Sequence, residues 1–265
     1  MQLTGATVLL TGATGGLGRA IAEALAGRGA SLILSARKAE ALEQLASELP
    51  GSGHITIPAD LAEPGAATKL ALDAGEFDVL VANAGLRGAG DLTDYSHEDI
   101  GRAIRVNLEA PIEMARAVME AMAARGSGQM VFIASLAGKA ASPRSSLYNA
   151  TKFGLRGFAL GLRADMAPAG VGVSIVSPGF VREAGMFADS GAKPPPGMGT
   201  TTPARVGEAV VRAIEANKME IAVAPLSQRM GAHLALASPA LGLRAQSGAL
   251  GRRAAADATT GERKV

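Results

Sequence analysis

Short, continuous apolar runs alternate with helix-period segments along most of this chain, and that order constrains the fold more than any other feature. The runs are Ala6–Thr11, Ser31–Ser35, His54–Pro58, Asp78–Gly85, Gln129–Ser135, Val171–Gly179 and Glu220–Pro225. They are unbroken rather than alternating, as strands covered on both faces are. Between them stand segments with apolar residues at helical spacing, such as Leu17, Ile21 and Leu25, with Gly29 just past the end. The pattern predicts an α/β fold: a doubly wound, seven-stranded parallel sheet with helices on both faces. No linker interrupts it, so residues 1–265 read as one domain.

Composition permits such a core and removes several chemistries. Hydrophobic residues make up 48% and charged ones 19%, which is enough apolar side chain for burial and no signature of disorder. There is no cysteine, which excludes disulfides, thiolate nucleophiles and cysteine-ligated metals. His54, His97 and His233 lie far apart without metal-ligand spacing, so no bound metal is expected. The net charge is +2 and the arginines are scattered, so nucleic acid is not an expected partner. The N-terminus lacks the basic start and apolar core of a signal peptide, and no stretch approaches ~20 apolar residues. The expectation is a cytoplasmic protein without a membrane span.

Between the first run and the first helix stands "TGATGGLG" (Thr11–Gly18). Glycines at a strand-to-helix turn bring backbone N–H groups and a helix N-terminus to a phosphate with no Cβ in the way. The spacing of Gly12, Gly16 and Gly18 is G-x-x-x-G-x-G, and the lysine-containing loop of nucleoside triphosphatases is absent. Gly12, Thr14, Gly15, Gly16, Leu17 and Gly18 are therefore the candidates for holding a dinucleotide. The second run ends "LSARKAE", where a dinucleotide without a 2′-phosphate meets an Asp or Glu. Arg37 and Lys38 stand there instead, and an arginine fork suits a phosphate. NADP (NADPH) is therefore expected ahead of NAD. Asp60, followed by Leu61 in "PADLAE", could accept from the adenine amino group or cap the next helix. "NAG" (Asn83, Ala84 and Gly85) ends the fourth run and should lie beside the glycine turn, at the edge where ligands sit in such sheets.

One of only two tyrosines, Tyr148, stands four residues before Lys152 in "SSLYNATKFG". Residues four apart share a helix face. An ammonium beside a phenol stabilises the phenolate and brings its pKa from near 10 toward neutrality, making a proton donor. Ser135 ends the strand "VFIAS" at the same edge, where its hydroxyl could hold an oxygen gaining negative charge.

"TGATGGLG", "NAG", Ser135, "YNATK" and "SPG" (Ser177–Gly179) occur in the order and spacing of the short-chain dehydrogenase/reductase family, which the chain resembles from about Ala6 to Ala224. The resemblance implies a Rossmann-type fold and an NADP-dependent oxidoreductase acting on CH–OH groups, with hydride passing between nicotinamide C4 and a carbonyl carbon. It makes Tyr148 the acid/base, and Lys152 the residue that holds the nicotinamide ribose and tunes Tyr148. It makes Ser135 the residue that positions the carbonyl. The family's fourth catalytic member, an asparagine in a long helix, matches Asn107. Cofactor contacts are also implied for Pro178, Gly179 and the main chain around Val181. Where the family usually has a threonine for the carboxamide, this chain has Glu183. The resemblance favours a homodimer or homotetramer through the helices containing Asn107 and Tyr148.

Three further features are this chain's own. Ser96–Asp99 reads as a capping box opening the Asn107 helix, and Pro111 falls inside that helix. A proline there strips the Asn107 carbonyl of its partner and frees it to hold a water for a proton relay through Lys152. The Gly/Pro/Thr-rich stretch Met186–Pro203 sits where the family covers its substrate; Met186, Phe187 and Met198 suggest a hydrophobic ketone, aldehyde or secondary alcohol. The stretch Ala224–Gln246 carries apolar residues beside Arg229 and Arg244 and could cover the pocket, join subunits, or make a peripheral contact with a membrane surface. The tail after Arg244 is expected to be mobile. Two rival readings remain: sugar-nucleotide epimerisation on the same scaffold, and a non-enzymatic NADP-binding sensor, which would have no need of Tyr148 and Lys152.

Overall fold

The computed structural model describes residues 1–247 except 89, 190, 192 and 196. The seven runs form one parallel sheet in the order β3-β2-β1-β4-β5-β6-β7. The strands are β1 (Thr7–Thr11), β2 (Ser31–Ser35), β3 (Ile55–Thr56), β4 (Val79–Ala82), β5 (Gln129–Ile133), β6 (Gly172–Pro178) and β7 (Glu220–Val223). β3 is only the middle of the expected run, because it lies at an open edge with Ile55 exposed. The strand order reverses between β1 and β4, and the crevice at such a reversal is where ligands enter these sheets.

Helices cover both faces, as the unbroken apolar strands require. Val8 and Leu10 of β1 pack with α1 (Gly16–Ala26), α2 (Ala39–Glu48) and α8 (Pro203–Glu215). Leu9, pointing the other way, packs with α3 (Ala66–Asp73), α5 (Ala110–Arg125) and α6 (Ser146–Met166). The remaining helices are α4 (His97–Ile104), the short α7 (Met186–Asp189), α9 (Leu226–Ala237) and α10 (Pro239–Ser247). The tail expected after Arg244 thus starts as the last turn of α10, and residues 248–265 lie outside the described residues.

The Asn107 segment carries a π turn rather than a simple kink. The capping box opens α4 as expected: Ser96 Oγ accepts from Asp99 N, and Asp99 Oδ2 accepts from Ser96 N, each at 3.1 Å. Residues Arg105–Glu109 then form a π turn, closed by the Ala110 N–H to the Arg105 carbonyl. Pro111 is the second residue of α5, and the helical backbone runs unbroken from α4 through the π turn into it, so the proline falls inside the helix as expected. Its missing N–H leaves a carbonyl of the π turn, one turn back, without a helical donor. The wider turn absorbs the misfit and bulges Asn107 toward the sheet's ligand edge.

Candidate active site

The glycine turn is built by close approach. Gly12 has φ of 63°, the left-handed region that other residues enter at a cost. A Cβ on Gly18 would overlap the Gly12 carbonyl, so the turn closes only without one. Thr11 Oγ1 accepts from the N–H groups of Asn83 and Ala84, both at 3.1 Å, and Asn83 Nδ2 donates to the carbonyls of Thr11 and Gly12. Asn83 thereby ties the β4 loop to the turn. α1 begins at Gly16 with no side chain capping it and no acidic residue in its first turn, which leaves its first amides without a side-chain partner.

The cradle fits a dinucleotide. Thr11 is in register with Ser35, so the exposed Arg37 stands two residues past β2, next to the turn. Among the described residues its guanidinium has no protein partner, which leaves its fork for a phosphate. Asp60 Oδ1 accepts from Ala62 N at 3.0 Å, capping the start of the following turn, and Leu61 is buried beside it.

Four residues meet at the adjoining edge. Ser135 follows β5; its hydroxyl accepts from Ala137 N at 3.1 Å, donates to the Pro178 carbonyl at 3.4 Å, and lies beside the Tyr148 phenol. Tyr148 and Lys152 lie one turn apart on α6, with Nζ 5.7 Å from the ring centroid. Lys152 Nζ donates to the Ile133 carbonyl at 3.1 Å. Asn107, fully buried, accepts from Leu86 N at 2.6 Å and donates to Leu86 O at 2.9 Å, so it clamps the residue after "NAG". Gly85 is held between these groups: a Cβ there would be 3.3 Å from Asn107 Oδ1 and 3.8 Å from Lys152 Nζ.

The expected tuning of Tyr148 by Lys152 is corrected by this geometry. Burial raises the phenol above its ordinary pKa, and the neighbouring Ser135 hydroxyl only partly offsets that. Burial lowers Lys152 to about 8. The ammonium points at a backbone carbonyl rather than at the phenol oxygen, so desolvation outweighs attraction.

Several supporting residues escaped sequence reasoning. Thr151 Oγ1 donates to the Tyr148 carbonyl at 2.9 Å and accepts from Asn107 Nδ2 at 3.4 Å, joining the π turn to α6. Asn149 Nδ2 donates to Ala137 O at 2.9 Å and to Ala140 O at 3.3 Å, holding the turn that carries Ser135. The available signal was two further polar residues within the "YNATK" stretch. Beyond Ser135, Lys139 and Arg156 bind Glu220 at 3.0 and 3.1 Å. Burial alone would raise that carboxyl, but the two cations' hydrogen bonds hold it below its ordinary pKa.

The stretch after β6 forms a roof. Pro178 ends β6, and Gly179 N donates to Val223 O at 3.1 Å. Val181 is buried and bridges Thr201. Glu183 has φ of 77° and turns outward, where its carboxylate takes Arg182 Nε at 2.8 Å. It therefore points away from the cluster. Ala184 and Gly185 lie on the glycine turn: a Cβ on Gly16 would be 2.5 Å from Ala184 Cβ. Met186 Cε reaches Gly85, Arg87 pairs with Asp189 at 3.0 Å, and Phe180 stacks on Phe187 at 4.7 Å. Gln228 of α9 pins this roof: Oε1 accepts from Phe180 N, and Nε2 donates to the Met198 and Gly199 carbonyls.

Comparison with known proteins agrees with this arrangement. A sequence model of the short chain dehydrogenase family matches residues 6–194. The chain is 38% identical over 227 residues to the ketoacyl reductase HetN of Nostoc sp., a match covering 83% of this chain and 79% of that protein. It is 35% identical over 189 residues to the dehydrogenase/reductase SDR family member 7B of Mus musculus, covering 68% of this chain and 58% of that protein. A solved short-chain dehydrogenase from Sphingobium yanoikuyae in complex with NADPH superposes with a TM-score of 0.77 at 27% identity, covering 89% of this chain and 95% of that one. The chain belongs to the short-chain dehydrogenase/reductase family, whose members are oxidoreductases that bind a nicotinamide cofactor.

Proposed function

We propose that this protein is an NADP(H)-dependent oxidoreductase that interconverts a hydrophobic carbonyl compound and its secondary alcohol, with Tyr148 as the acid/base. The observation that carries the reading is Ser135 beside the Tyr148 phenol, one helical turn from buried Lys152, at the same sheet edge as a glycine turn whose helix no side chain caps. Bound nicotinamide cofactor would supply or accept the hydride.

The chain's own residues handle the oxygen and the proton. A carbonyl oxygen placed between Ser135 Oγ and Tyr148 Oη gains negative charge as hydride arrives, and both hydroxyls can donate to it. Tyr148 then gives up its proton; in the reverse direction it takes the proton back. Burial keeps the phenol protonated at neutral pH, which suits reduction. Lys152 supplies a buried cation beside Gly85, where it would hold the nicotinamide ribose, and Asn107 fixes the loop that Lys152 faces. Gly12, Thr14, Gly15, Gly16, Leu17 and Gly18 would hold the pyrophosphate. Arg37 would hold a 2′-phosphate, and Asp60 and Leu61 the adenine end. Asn83, Ala84, Gly85, Pro178, Gly179 and Val181 would line the remainder.

Support for NADP comes from Arg37 and from the NADPH complex of the structural relative. Support for an apolar substrate comes from the Phe180–Phe187 pair and Met186 in the roof, and from the ketoacyl reductase among the relatives. Exposed Phe153, with open space around Gly157 and Gly161 on the same helix, suits pairing of two copies through α6.

The test is NADPH oxidation across apolar ketones, aldehydes and 3-ketoacyl thioesters, with NADH in parallel. Turnover with NADPH that Tyr148→Phe abolishes while cofactor binding persists is the expected result. Cofactor binding with no turnover on any carbonyl would overturn the enzymatic reading.

A further inference from the structure

The helix that pins the roof is packed inside out. Its buried stripe is Gln228, Ala232 and Ala235, which are small or polar, whereas Leu226, Met230 and Leu234 on the opposite face are 67%, 64% and 51% exposed. The orientation is locked. Ser227 Oγ donates to the Gly197 carbonyl at 3.0 Å, and Gln228 makes its three bonds to the roof, so α9 cannot roll its large side chains inward. α10 crosses closely, with Gly242 against Ala235, and leaves Leu241 and Leu243 exposed, Leu243 lining one hollow with Leu236. Of the thirteen exposed large hydrophobics among the described residues, six lie on these two helices, which makes a patch rather than scattered exposure.

The segment that carries the patch has charge of one sign. From residue 221 to 256 the sequence contains no Asp or Glu, but it contains Arg229, Arg244, Arg252 and Arg253. Arg229 and Arg244 are exposed at the flanks of the leucine face. A second copy laid on this face about a two-fold axis would bring like charges together with no carboxylate from the segment to pair them. A surface that is apolar below and negative at its rim complements it instead.

We propose that the α9–α10 hairpin seats this protein on an anionic lipid bilayer, with Leu226, Met230, Leu234 and Leu241 entering the interface and Arg229 and Arg244 meeting the headgroups. No described helix is long and apolar enough to cross a membrane, so the contact is peripheral. The inference is independent of the catalytic reading, but it places the roof at the lipid surface through Ser227 and Gln228.

Flotation of the full chain with phosphatidylcholine vesicles, with and without about a third phosphatidylglycerol, tests it. The protein should float with the anionic vesicles only, and added salt should release it. Replacing Leu226, Met230 and Leu234 together by serine should weaken binding by about a hundredfold or more. Arg229→Gln and Arg244→Gln should cost about fivefold each. All five side chains are exposed, so thermal unfolding of the variants should match the wild type. A chain that stays at the bottom with anionic vesicles, or floats equally with neutral ones, would overturn the proposal. So would a triple-serine variant that floats like the wild type. A light-scattering mass that halves in the triple-serine variant without vesicles would assign the patch to a second copy instead.

Discussion

Lys152 is the residue whose replacement separates function from stability most sharply. Its ammonium is buried, and burial lowers its pKa from 10.5 to about 8. Below about pH 8 the folded protein carries a desolvated cation that the unfolded chain would hydrate freely. The shift of roughly 2.5 units corresponds to about 3 kcal/mol of destabilisation, at 1.36 kcal/mol per unit. Because the folded pKa lies below the unfolded one, the unfolded chain binds more protons between these values, and stability rises with pH across that window. Lys152→Met keeps the length of the side chain and removes the charge. Its stability relative to wild type should fall by about 2 kcal/mol on going from about pH 7 to about pH 9.5, because only the wild type gains there. Other alkaline groups, Tyr148 included, are common to both proteins and drop out of the comparison. Urea denaturation at the two pH values reads the effect; with a slope of about 2 kcal/mol/M the midpoints should converge by about 1 M. Carbonyl turnover should be lost in the variant at both. Midpoints that keep a constant separation would refute a desolvated Lys152.

Other consequences follow from the same geometry. Because burial holds the Tyr148 phenol above its ordinary pKa, alcohol oxidation should climb toward alkaline pH while carbonyl reduction stays level through neutrality; an oxidation optimum on the acid side would contradict this. Arg37→Ala should raise KM for NADPH by about tenfold or more and leave NADH unaffected in steady-state assays. Gly18→Ala should destabilise the fold by about 3 kcal/mol or more, read as a lowered Tm, since its Cβ would overlap the Gly12 carbonyl; unchanged melting would refute the close-approach argument.

The order of apolar runs determined most of the fold. Strands covered on both faces must be apolar throughout, and helices joining parallel strands must lie on the faces, so a local pattern carried global information. The same holds for the site's principal residues. "YNATK" places Tyr148 and Lys152 together by helix geometry alone, and the glycine turn is legible because few other residues tolerate it.

What tertiary structure decided is whatever depends on distant chain segments meeting. Pro111 signals a disturbed helix, but that the chain answers with a π turn, and that Asn107 then clamps Leu86, depends on β4 lying alongside. Glu183 reads like a residue beside the carboxamide until its positive φ turns it toward Arg182. Lys152 reads like a cation that softens Tyr148, yet both groups lie in the same desolvated wall, and burial is a property of the assembled fold. The outward face of α9 was decided in the same way. Its apolar residues run round much of the helix, and the hydrogen bonds of Ser227 and Gln228 to the roof choose which of them remain exposed.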